Sequence, residues 1–68
     1  MRVLGVDPGS SATGFGLIER EGRRVRHVTH GILRPPVGAD LSVRLNFLHS
    51  RLSELLKEFE PEVAVVEQ

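Results

Sequence analysis

The sequence contains no cysteine, tryptophan or tyrosine, and its aromatic residues are three phenylalanines. Without thiols there are no disulfide staples and no thiolate metal site, and the chain suits a reducing cytoplasm. Phe15, Phe47 and Phe59 are too scattered to make a base-stacking platform, so core packing is their expected role. Apolar runs stop at four residues, far short of the ~20 that a membrane-spanning helix needs. Met1-Arg2 leads straight into a strand-like run that Asp7 interrupts, unlike a secretory signal. The expectation is a soluble, cytoplasmic chain.

Size limits the rest. With 68 residues there is room for one small domain. A core of that size seldom supplies more than ~3–5 kcal/mol without disulfides, metals or a partner. The charges balance to zero overall but are unevenly spread: Arg20 to Arg34 holds five arginines and one acid, whereas Asp40 to Gln68 holds six acids against Arg44, Arg51 and Lys57. A balanced total argues against a freestanding polyanion binder, although one segment could still face phosphate.

Val3-Leu4-Gly5-Val6 is wholly apolar and closed by Asp7-Pro8-Gly9, which reads as a strand buried on both faces followed by a turn. Pro8-Gly9 suits the central positions of a type II turn, with glycine at φ > 0. A second strand follows at Thr13-Gly14-Phe15-Gly16-Leu17-Ile18. Its two glycines share one face and would let something approach the backbone. Glu21-Gly22 signals a turn into a third strand, Arg23 to Leu33, which Pro35-Pro36 ends. Leu41, Leu45, Leu48, Leu52, Leu55 and Phe59 recur at alternating steps of four and three, the apolar stripe of an amphipathic helix. Asp40 is its expected N-cap and Pro61 its stop. Val63-Ala64-Val65-Val66 is a second wholly apolar run, closed by Glu67-Gln68. The fold class is α/β: a three-stranded antiparallel meander, a helix, and a fourth strand laid parallel to the first by a right-handed crossover. One helix covers only one face of such a sheet, so more chain or a partner must cover the other.

On that topology Asp7 and Glu67 are each the first charged residue after an apolar strand, and parallel strands bring them to one edge. That edge is where open α/β sheets bind ligands, and neighbouring strands are only about 4.8 Å apart. Two carboxylates so close repel, and a hard cation relieves them. All-oxygen ligation favours Mg²⁺ or Mn²⁺, and two such metal ions held about 3.5–4 Å apart activate water for phosphodiester cleavage. The bland alternatives are that Asp7 is a turn residue bonding nearby amides and Glu67 a solvated strand boundary.

Leu4-Gly5-Val6-Asp7-Pro8-Gly9-Ser10 with Thr13-Gly14-Phe15-Gly16 resembles the opening hairpin of RuvC-type Holliday junction resolvases. Phe59-Glu60-Pro61-Glu62 with Val65-Val66-Glu67-Gln68 resembles that family's second motif, and Arg44-Leu45 also fits. The resemblance spans the whole chain. It implies a ribonuclease H-like fold and a homodimer acting on four-way junction DNA, with the branch-migration proteins RuvA and RuvB as partners. It also implies that Asp7 and Glu67 are the first two of four metal-binding catalytic acids, holding Mg²⁺ with Mn²⁺ as a substitute, two ions per site. Family members are longer and carry their last two acids near the C-terminus. Residues 1–68 are therefore expected to be the N-terminal part of a single nuclease domain, inactive alone.

The main rival is an actin-like or sugar-kinase-like ATPase, whose similar Asp-x-Gly hairpin holds nucleotide phosphates; Pro8 and Glu67-Gln68 fit it less well. The shorter resolvase-like YqgF group places a basic residue and Ile before the hairpin glycine, where Ala12-Thr13 stand here. A non-catalytic binding module is a third reading. Arginines 20, 23, 24, 26 and 34 suit phosphate contact but equally a charge-protected edge strand. Ser10, Ser11 and Thr13 are expected to cap turns. His27 and His30, three apart on a strand, are expected to face opposite sides and not to chelate together, and His49 lies beside the helix stripe.

Overall fold

The computed structural model describes residues 1–67. Its order is β1 (Arg2–Pro8), β2 (Thr13–Glu21), β3 (Arg24–Leu33), α1 (Leu41–Phe59) and β4 (Val63–Val66). They form one sheet ordered β3-β2-β1-β4 with α1 as the crossover. β1 pairs antiparallel with β2, β2 antiparallel with β3, and β4 parallel with β1, as the apolar patterning predicts. Gln68, half of the closing Glu-Gln pair, lies outside the described residues.

Register alternates the side chains between two faces. Leu4 sits opposite Leu17 and Thr13 opposite Leu33. These four are the buried residues of the covered face, and Leu17 is fully enclosed. Val3, Gly5, Asp7, Gly14, Gly16 and Val65 alternate onto the other face. Leu48, Leu52, Leu55 and Phe59 of α1 are half-buried, but no residue of the helix is fully buried.

The helix limits follow from chemistry local to them. Asp40 accepts from the Val43 backbone N–H at 3.1 Å and from the Ser42 hydroxyl at 2.9 Å. At the far end Glu60 adopts a left-handed conformation (φ 46°), and its N–H donates to Leu56 O. The Arg2 guanidinium donates to Phe59 O at 2.8 Å, so the start of β1 satisfies a carbonyl that the ending helix leaves free.

The Val43 N–H, then the Ser42 hydroxyl, hold the Asp40 carboxyl below its ordinary range. A lowered carboxylate stabilises the fold above its unfolded-state pKa and loses that contribution as the pH falls through the folded value. Asp40→Ala should therefore lower the thermal midpoint at neutral pH. The gap to wild type should close as acid protonates the cap, and thermal melts at about pH 7 and about pH 2.5 check this. A gap that stays constant with pH would contradict the assignment.

Four details differ from expectation. The wholly apolar runs are not covered on both faces: β4 is exposed at every residue and Leu4 alone is buried in β1, because the one helix covers one face of the sheet. β1 runs through Pro8, which pairs with Thr13, and Gly9 is not among the positive-φ glycines, so there is no type II turn at Pro8-Gly9. Gly9 is required instead by a close approach: a Cβ there would lie 2.4 Å from Ala12 O. Leu41 and Leu45, at 67 % and 57 % exposure, do not pack, while Arg44 and Phe47 turn partly inward. Periodicity says which helix residues share a face, not how much opposing surface exists to cover them. Finally, Leu17 pairs with Thr29 but Ile18 with His27, leaving Val28 as the extra residue of a β-bulge. The bulge cancels one step of alternation, so His27 and His30 share a face after all.

Candidate active site at the parallel strand ends

Asp7 is the penultimate residue of β1 and Glu67 directly follows β4. Val6 lies in register with Val66, and the Glu67 N–H donates to Val6 O at 2.9 Å. That bond carries the parallel pairing one residue beyond β4. Asp7 and Glu67 thus stand abreast on adjacent strands and on the same face, the one that α1 leaves bare. The two sequence-predicted acids are brought together, and both are exposed.

Glycines clear the surface around them. Gly14 sits opposite Asp7, and a Cβ there would meet Asp7 Cβ at 3.9 Å. Above Gly16 there is open space. Gly5, Asp7, Gly14, Gly16, Val65 and Glu67 contribute to the lining of an open recess of ≈ 360 Å³. The surface around the acids is therefore largely glycine backbone. Beside it, Arg44 of α1 donates to Ser10 O in the loop between β1 and β2. This tether ties the helix start to the hairpin that carries Asp7; the Arg44-Leu45 pair was its one sequence signal.

Among the described residues no lysine or arginine lies within ion-pair distance of either acid. Two adjacent, unneutralised carboxylates suit a hard divalent cation. No group of three or more His, Cys, Asp or Glu gathers among the described residues, so these two acids are a partial ligand set. Arg24 and Arg26 of the third strand fall elsewhere: in the register of β2 and β3 Arg26 stands opposite Glu19 and Arg24 opposite Glu21, away from the acids.

A mixed sheet in this order, with a helical crossover to a parallel fourth strand and acids at the shared edge, defines the ribonuclease H-like class. Residues 3–68 match the family model for crossover junction endodeoxyribonuclease RuvC, and the chain belongs to that family. The crossover junction endodeoxyribonuclease RuvC of Alkalilimnicola ehrlichii is 51 % identical over 98 % of this chain. The Thermus thermophilus RuvC structure superposes on all of it with a TM-score of 0.90 at 30 % identity. The same T. thermophilus protein in complex with a Holliday junction substrate gives 0.90 at 29 % identity, again over the whole chain. The chain spans 40 % of the length of the A. ehrlichii relative, and 45 % and 42 % of the two T. thermophilus chains. Among the described residues no helix is long and apolar enough to cross a membrane.

Proposed function

We propose that this chain is the N-terminal part of a single nuclease domain that resolves four-way DNA junctions, and that Asp7 and Glu67 are two of its metal-holding catalytic acids. The observation that carries the proposal is the pairing of Val6 with Val66, continued by the Glu67 N–H to Val6 O bond. It sets two carboxylates side by side with no cation of the described chain to neutralise them. Membership in the resolvase family, and the junction bound to the T. thermophilus relative, supply the substrate class.

In that reading Asp7 and Glu67 hold Mg²⁺, for which Mn²⁺ substitutes, and further acids from the rest of the protein complete a two-ion site. When bound, such ions lower the pKa of a water and stabilise the departing oxygen. The contribution of this chain is positional. The paired strands fix both carboxylates, the glycine floor leaves room for a phosphodiester, and the Arg44 tether holds the hairpin. A homodimer presents two such sites related by a two-fold axis, which suits a junction of matching symmetry and gives paired nicks. RuvA and RuvB are the proposed partners in branch migration, in the cytoplasm.

The full-length protein should cut a synthetic four-way junction symmetrically when Mg²⁺ is added, and leave a linear duplex of the same sequence intact. Residues 1–68 alone should not cut. Tight ATP binding by the full-length protein, without affinity for junctions, would overturn the reading in favour of a nucleotide-phosphate hairpin.

A further inference from the structure

The bulge at Val28 has a chemical consequence. It places His27 opposite Ile18 and His30 opposite Gly16, and Ile18 and Gly16 alternate onto one face. The two imidazoles meet there: His27 Nε2 and His30 Nδ1 are 2.9 Å apart, with ring centroids 5.0 Å apart and planes inclined at 58°. Both side chains are exposed, and Gly16 beside them offers open space where a Cβ would stand.

We propose that His27 and His30 form a two-nitrogen site for a late first-row divalent cation, Cu²⁺ or Ni²⁺, separate from the carboxylate site. The spacing is compatible with adjacent coordination positions. Metal–nitrogen bonds of about 2.0–2.1 Å meeting at about 90° put the two nitrogens about 2.9 Å apart, whereas a tetrahedral angle needs about 3.3 Å. The observed 2.9 Å is a hydrogen-bond contact with the nitrogens facing each other, so both rings must rotate to aim at a shared ion. Little change in separation is then needed for adjacent positions on a square-planar or tetragonal Cu²⁺ or Ni²⁺. Imidazole donors suit these ions, while Asp7 and Glu67 offer only oxygen, so the two sites sort metals by donor type.

Proton balance permits the exchange. In the present contact one ring donates and the other accepts. On binding, the donor ring moves its hydrogen to its other nitrogen. His27 then carries hydrogen on Nδ1 and His30 on Nε2, both facing nitrogens are bare, and no proton leaves. Water completes the coordination sphere. β3 is separated from β1 by β2, so the pair lies about 10 Å or more from Asp7, two strand spacings away on the same face.

The test is a Cu²⁺ titration of untagged full-length protein in excess Mg²⁺, which keeps the carboxylate site filled, read by electron paramagnetic resonance. Wild type should take up one equivalent with a two-nitrogen signature. His27→Ala and His30→Ala should each weaken that equivalent by at least about tenfold and reduce the signature to one nitrogen. His27→Gln, which keeps a polar side chain on the exposed strand, should behave like His27→Ala, whereas His49→Ala on the helix should match wild type. Circular dichroism checks that each variant is folded. Unchanged affinity and signature in both alanine variants, or no uptake by wild type, would overturn the proposal.

Discussion

Asp7→Asn or Glu67→Gln in the full-length protein should lower Mg²⁺-dependent junction cleavage by at least about a thousandfold, equivalent to about 4 kcal/mol of transition-state stabilisation. Junction binding should stay within a few fold of wild type. Each substitution keeps the shape of its side chain and removes its charge. The strand pairing should survive, because it rests on backbone bonds such as Glu67 N–H to Val6 O. A neutral amide is a far weaker partner for a hard cation than a carboxylate. Affinity for DNA, in contrast, generally comes mainly from contacts to many phosphates, so on the proposed reading it should not hang on either acid.

A second readout separates loss of metal from loss of fold. Both carboxylates are exposed, so neutralising one should leave the thermal midpoint of the metal-free protein nearly unchanged. With Mg²⁺, wild type should gain stability through linkage and the variants should gain less or none. Cleavage retained in either variant would remove that residue from the site. Cleavage lost together with a lowered metal-free midpoint would indicate structural damage instead.

The second large effect concerns the core. Leu17→Ala should destabilise the protein by about 2–5 kcal/mol, the usual range for truncating an enclosed leucine. Leu17 is 0 % exposed, and its register partner Leu4 is buried with it. It sits on β2, between the strand that carries Asp7 and the strand that carries the histidines. For a protein of about 150–250 residues the cost corresponds to a midpoint roughly 4–20 °C lower. Cleavage and junction binding should fall together at elevated temperature, unlike the acid variants, which separate them. A midpoint within about 2 °C of wild type in differential scanning calorimetry would mean that Leu17 is not the centre of this core.

Much of this was legible in the residues. Val3–Val6 and Val63–Val66 announce two strands by their unbroken apolar runs. The cover on both sides that such runs suggest is not there: of the eight residues only Leu4 is buried, and β4 is exposed throughout. Asp40 and Pro61 bracket the helix because one satisfies free amides and the other bars continuation, and the helix runs from Leu41 to Phe59 between them. Asp7 and Glu67 stood out because each is the first charge after its run. The other misreadings share a cause. The turn at Pro8-Gly9, the packing of Leu41 and Leu45, and the facing of His27 all assumed that a regular local pattern continues undisturbed. Gly9 is set by the approach of Ala12 O rather than by its own φ, and Val28 breaks the alternation that would have parted the two histidines.

The residues by themselves determined the order of elements, the limits of the helix, and the placing of one acid at the end of each apolar strand, because propensity, capping and periodicity act over a few neighbours. Tertiary structure alone decided that Val3 pairs with Val63, which sets Asp7 and Glu67 abreast. It alone also inserted the bulge that turns His27 toward His30. Register between distant segments comes from hydrogen bonds and packing formed only once the chain has closed on itself, and a slip of one residue would send either acid to the opposite face.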